Sequence, residues 1–173
     1  MENKFYYKDG TTSENRDYSR VLHRIDGPAV EWWQGDKFWY VDDKCHRVDG
    51  PAREYAYGDK YWFIDGRQHR TDGPAAEYAD GGKVWYVDGK QHREDGPACE
   101  YANGDKIWYI DNERHRTDGP AVEWVDGYKS WYIDGRLYSE EDFNKFIEEV
   151  KQLPLALRLI DPREWVRLGS YER

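Results

Sequence analysis

A seven-residue phrase, His-Arg-x-Asp-Gly-Pro-Ala, begins at His23, His46, His69, His92 and His115, every 23 residues without a deviation. A period of this length requires an array of small units, each burying its apolar side against its neighbours, and argues against a single irregular globule. Other columns keep the register: Glu31 to Glu123, Gly35 to Gly127, Lys37 to Lys129, Trp39 to Trp131 and Asp42 to Asp134. Inside one unit, two runs of β-branched and aromatic residues are separated by Gly and Asp turn signals, so each repeat reads as a β-hairpin. In the Asp-Gly-Pro step, Asp is expected to bond its own backbone, Gly to accept positive φ and Pro to open a strand.

Electrostatics selects how the units stack. One coil per repeat would place equivalent residues about 4.8 Å apart, and one hairpin per repeat about 9.6 Å apart. A glutamate column at the shorter spacing costs on the order of 3 kcal/mol per neighbouring pair at an effective dielectric of 20. The hairpin instead brings Glu77 near Lys83 across its own turn. The expected fold is therefore mainly β, an elongated twisted antiparallel sheet of 23-residue hairpin repeats with a short C-terminal helical cap. Residues 1–22 form a half repeat, in which Lys4 to Gly10 matches Lys37 to Asp43, followed by an insertion. Residues 23–138 hold five repeats, and 139–173 the cap or tail. Ser139 is the expected N-cap with Asp142 three residues on, and Tyr138 is expected to staple onto Phe143. Leucine, absent from 23 to 136, concentrates between Leu153 and Leu168, where further short helices are expected.

Leu, Ile, Val and Phe together supply only 29 residues, and 35% of the chain is charged with a net of -9. Those figures alone describe a disordered chain. The 24 Trp and Tyr residues supply the missing apolar area, each ring leaving a polar tip for the surface. No apolar run approaches the roughly 20 residues that span a bilayer, so no membrane insertion is expected. Without an apolar leader, and with Cys45 and Cys99 in no metal or redox spacing, a cytoplasmic setting is expected. The acidity disfavours direct binding of nucleic acid.

Five copies of His, Asp and Glu invite a metal reading. Histidines about 10 Å apart cannot share an ion, however, and no metal or cofactor is expected. The histidine rings should instead satisfy a turn carbonyl or the Asp of their own motif. No repeat carries a constellation that the others lack, so no enzymatic activity is expected. The arginine column of Arg24, Arg47, Arg70, Arg93 and Arg116 could bind small anions or nucleotides, against the simpler reading of an Arg and Asp ladder. Columns such as Tyr55, Tyr78 and Tyr101, or Trp62, Trp85 and Trp108, could stack bases or grip a peptide, but must first make the core. Partner choice should reside where repeats differ: Arg53 in a column of small residues, Trp33 where others have Ala, the varied Gln68, Gln91 and Arg114, and the tail residues Leu159, Arg163 and Trp165. Exposed sheet edges offer a route to a homodimer.

The strands Trp131 to Arg136 and Trp85 to Arg93, with their Gly-Lys-x-His turn, resemble MORN repeats. The likeness is greatest to a MORN-like variant, WYxxGxxHRxDGPAxE, of tailed phages and giant viruses that often ends in a helix like Ser139 to Phe143. It covers residues 23 to 143 and implies aromatic hairpins joined in a single sheet. It also implies a scaffold, a dimerisation module or a lipid-head-group binder; against the last stands the acidity, together with His-Arg-x-Asp-Gly-Pro in place of the MORN His-Gly-x-Gly. The phage association implies an accessory protein that contacts a bacterial host protein and blocks a host defence. An acidic mimic of nucleic acid is the rival implied by the charge.

Overall fold

The computed structural model describes residues 2–153. Among them, 13 short strands join in one antiparallel sheet that does not close into a barrel. It runs from Thr12–Ser13 and Lys4–Tyr6 through paired strands of each repeat to Lys129–Ile133 and Arg136–Tyr138. The chain divides into two compact units, Met1–Lys90 and Gln91–Arg173. Tail residues Leu159, Arg163 and Trp165, and the expected helices of 153–168, lie outside the described residues.

Each repeat gives the sheet one strand bearing its glutamate and one bearing its lysine. Ala76–Glu77 pairs with Lys83–Val84 on one side and Lys60–Tyr61 on the other, so Glu77 faces both Lys83 and Lys60. In the second unit Glu100 faces Lys106, which also faces Glu123. Opposite charges alternate where a one-coil stack would have aligned like ones. On the other face of these two-residue strands lie Val30, Ala76, Val84, Cys99, Ile107 and Val122, all buried.

The first four repeats depart from a simple hairpin in their second half, where the strand breaks at the tryptophan; in the fifth, Lys129–Ile133 runs through Trp131 unbroken. Phe63–Ile64 then folds back on Arg67–Gln68 in a separate two-stranded sheet, as Tyr40–Val41 does on Lys44–Cys45 and Tyr109–Ile110 on Glu113–Arg114. The connecting turn has positive φ at both central residues, 49° at Asp65 and 82° at Gly66, which matches the twist of a two-residue hairpin. The Trp62 N–H reaches forward to the Ala75 carbonyl of the next repeat (2.9 Å), and its carbonyl accepts the His69 N–H (3.1 Å). One tryptophan backbone thus stitches the large sheet to the small hairpin. The Ala column, Ala29, Ala52, Ala75, Ala98 and Ala121, is fully buried, leaving no volume for a larger side chain.

Before the first repeat, Lys4–Tyr6 pairs with Val30–Glu31 as the lysine strands of the repeats do. Asn3 takes the place of the turn aspartates: its Oδ1 accepts the Trp33 N–H (3.0 Å), as Asp36 Oδ1 accepts the Ala56 N–H (2.8 Å). Phe5, Tyr7, Leu22, Ala29 and Val30 close a core at this end. At the other end one helix, α1 (Glu140–Gln152), packs against the last two strands and buries Phe143 and Val150. Ser139 caps it, accepting the Asp142 N–H (3.0 Å). The ring that Tyr138 meets is Phe146, at 5.9 Å, one turn beyond the expected Phe143.

Candidate functional site

The repeated polar residues assemble into a row of Arg-x-Asp-Gly-Pro loops. In the third repeat Arg70 donates from Nε to Asp72 Oδ1 (2.8 Å) and from Nη1 to the Pro74 carbonyl (3.2 Å) and Glu77 Oε1 (3.0 Å). The same three bonds recur around Arg24, Arg47, Arg93 and Arg116. The guanidinium carbon sits over the preceding tryptophan, 4.1 Å from the Trp62 ring centre beneath Arg70 and 3.9 Å from Trp108 beneath Arg116; a cation over an indole face is the most favourable such pairing.

This packing accounts for the glycine of the motif, and not in the expected way. Gly73 is absent from the positive-φ residues. A Cβ there would instead sit 3.0 Å from Arg70 Cζ. The column is glycine because a guanidinium occupies the side-chain space.

Each arginine thus meets two carboxylates. Its hydrogen bond and its charge hold the Asp26, Asp49, Asp72 and Asp95 carboxyls below the ordinary aspartate value. Those aspartates face solvent, Asp72 with 82% of its side chain exposed. The local sum per repeat is one negative charge, which opposes capture of a free anion by Arg47, Arg70, Arg93 or Arg116. In the second unit two successive loops border an open polar cleft of about 910 Å³, walled by Arg93, Asp95, Arg116 and Asp118 and backed by Trp108 and His115.

Each histidine bonds the small-turn aspartate 19 residues on and not the Asp of its own motif. His69 Nδ1 lies 2.9 Å from Asp88 Oδ1 and 3.2 Å from the Asp88 N–H, in the next small hairpin turn along the chain. His23, His46, His92 and His115 make the same contacts with Asp42, Asp65, Asp111 and Asp134. These pairs tie the end of one small hairpin to the turn of the next. Among the described residues no three His, Cys, Asp or Glu side chains converge as metal ligands.

Residues that differ between repeats fall into two sets. Arg53 points into the interior, its guanidinium 4.9 Å from the Phe63 ring and 5.9 Å from Phe38, with Nε buried and unbonded. Cys45, eight residues earlier, lies beside its guanidinium. At the same offset Gln91 Nε2 donates to Cys99 Sγ (3.3 Å), and burial pushes the Cys99 thiol up to about 11. Arg114 bonds the Tyr132 hydroxyl (3.1 Å), and Gln68 is half-buried. A large polar member and a small one share each interior position, so part of the variation among Arg53, Gln91 and their partners is explained by packing. Trp33 belongs to the other set: it is 59% exposed at the first wide turn. Its counterpart Ala79 fits beneath Gly58, whose added Cβ would come within 3.1 Å of the alanine Cβ.

Sequence reasoning missed the anchors of these wide turns. Asp36, Asp59 and Asp105 are buried, and each accepts the backbone N–H of the next repeat's turn, Ala56, Ala79 and Val125 (2.8, 2.8 and 2.7 Å). The signal was an Asp before the column lysine, obscured because Gly82 and Tyr128 replace it elsewhere. The wide turns also carry the open aromatic surface: Trp33 and Tyr57 in the first unit, Tyr101 and Tyr128 in the second. No protein-family model and no curated protein sequence matches the chain.

Proposed function

We propose that the chain is a non-enzymatic, MORN-like repeat protein that binds another protein, acting as a phage accessory factor against a host protein in the bacterial cytoplasm. The observation that carries this reading is how the polar groups are used. The repeated His, Arg, Asp and Glu side chains are engaged in bonds within and between repeats, whereas the wide turns leave large rings in solvent. Exposed Trp and Tyr are the residue types that anchor protein interfaces. No membrane-crossing helix is found among the described residues.

The anion-binding alternative is weaker because each guanidinium is outnumbered by carboxylates. The nucleic-acid mimic is weaker because lysines alternate with the glutamates across the sheet. The test combines affinity capture from bacterial lysate with thermal shift. A stoichiometric host protein is expected, lost on Tyr57→Ala with Tyr101→Ala and retained on Asp72→Asn. A melting temperature raised by nucleotide or phosphate, and lowered back by Arg70→Ala, would favour the anion reading instead.

A further inference from the structure

The wide turn of the fourth repeat carries a chemically labile pair. Of the asparagines Asn3, Asn15, Asn103, Asn112 and Asn144, Asn103 alone precedes a glycine. The Gly104 backbone nitrogen has no side chain beside it to hinder attack on the neighbouring amide carbon. Tyr101, Ala102, Asn103 and Gly104 are all exposed. The Gly104 N–H bonds the Tyr101 carbonyl (2.9 Å), and a backbone hydrogen bond in so exposed a turn opens locally far more often than the core does.

The Asn103 amide also has a structural task. Its Nδ2 donates to Asp105 Oδ2 (2.7 Å) and its Oδ1 accepts the Asp105 N–H (3.1 Å), while the buried Asp105 holds the Val125 N–H on its other oxygen. A neutral donor likewise accompanies the other buried anchors: Gln34 Nε2 donates to Asp36 Oδ2 (3.2 Å) and the Tyr61 hydroxyl to Asp59 Oδ2 (2.8 Å). Where the column of Asn103 holds Asp80 or Asp126, the anchor position holds Gly82 or Tyr128, and the aspartate accepts that residue's N–H (2.9 Å in both). In none of the five repeats does the sequence place acids at both positions. A carboxylate at 103 would remove the donor to Asp105 and set a second negative charge against a buried one, so lost hydrogen bonding and like charge act in the same direction.

We propose that Asn103 is a site of spontaneous deamidation, and that its conversion to a carboxylate loosens the Asp105 anchor of this turn. The Gly104 nitrogen bonds to the Asn103 side-chain carbonyl carbon, the bond from that carbon to Nδ2 breaks, and Nδ2 leaves as ammonia with the Gly104 amide proton. Water then opens the five-membered imide at either carbonyl, leaving aspartate or isoaspartate; water is the sole co-reactant. The inference is independent of partner binding. The test incubates the full chain at about 37 °C in mildly alkaline buffer and follows it by intact mass and peptide mapping. A gain of about 1 Da per chain is expected, mapped to Asn103 in both product forms and accumulating about tenfold faster or more than at the other four asparagines. Separated by charge, the converted fraction should melt below the unconverted one. Asn103→Asp, which adds the charge without altering the backbone, should also melt below the parent. Asn103→Gln keeps a donor, as Gln34 does, and closes its imide far more slowly; it should melt with the parent and gain no mass. No conversion at Asn103, a converted fraction that melts with the unconverted one, or an Asn103→Asp chain as stable as the parent overturns the proposal. The first two readouts use the unsubstituted chain and hold even where a variant fails to fold.

Discussion

Gly73 lacks a side chain because Arg70 fills the space, and the energetic consequence is separable from backbone effects. Gly73→Ala is expected to cost about 1–3 kcal/mol through overpacking against the guanidinium. Once Arg70→Ala is also present, the same substitution should become neutral or stabilising by about 0.4–1 kcal/mol, since its φ is not positive and Ala restricts the unfolded chain. Urea unfolding of the two singles and the double yields the coupling; additivity would refute the packing account. Asp72 on the same guanidinium makes the loop sensitive to acid. Its folded value is held below 3.8, first by the Arg70 hydrogen bond and then by the charge, so its contribution is complete above the ordinary carboxylate value and is lost as pH falls through the lowered one. Asp72→Asn should therefore melt below the parent at neutral pH, and the gap should close below about pH 4. A gap that persisted at pH 2 would place the effect elsewhere.

At the scale of the element, the wide turn is held from outside by an aspartate of the repeat before it. Asp59→Ala strands the Ala79 N–H and the Tyr61 hydroxyl, with an expected loss of about 1–3 kcal/mol for leaving a buried donor unpaired. Asp59→Asn keeps an acceptor oxygen and should recover part of that loss, measured by chemical denaturation; equal losses would show that charge rather than hydrogen bonding matters. This anchor also marks how far the sequence can be read. The hairpin period, the facing of Glu77 and Lys83 and the Ser139 cap were legible because each lies within one unit, where turn chemistry and alternation speak directly. The partners of His69 and Asp59 were not, because they sit 19 and 20 residues on. A column shows that a residue is needed in every repeat without showing which neighbour it reaches. The role of Gly73 was misread for a related reason: Asp-Gly-Pro carries a turn signal, and the guanidinium beside it is invisible in one dimension. For Arg53 the decisive clue was Cys45, whose small side chain makes room.

Over the whole molecule, these offsets favour changes of exactly one period. Deleting residues 69–91 joins Gln68 to His92 and sets Gln68 eight residues before the former Cys99, the interior pairing that Gln91 now makes. A folded, shorter and less stable protein is expected, with a single cooperative transition by circular dichroism. Deleting 22 or 24 residues from the same start should prevent folding, because every side chain after the junction would change face. If all three deletions behaved alike, the register would not govern folding. The contacts that join residues 19 and 20 apart have a further consequence, at the level of the gene. A duplication or loss of 69 nucleotides restores the His–Asp contact, made in all five repeats, wherever in the period its breakpoints fall, since the phase of the cut is immaterial to a pattern defined only by offsets. Such a coding sequence can lengthen or shorten by unequal recombination between its own copies and still specify a closed set of bonds, so repeat number is the dimension along which it can change fastest.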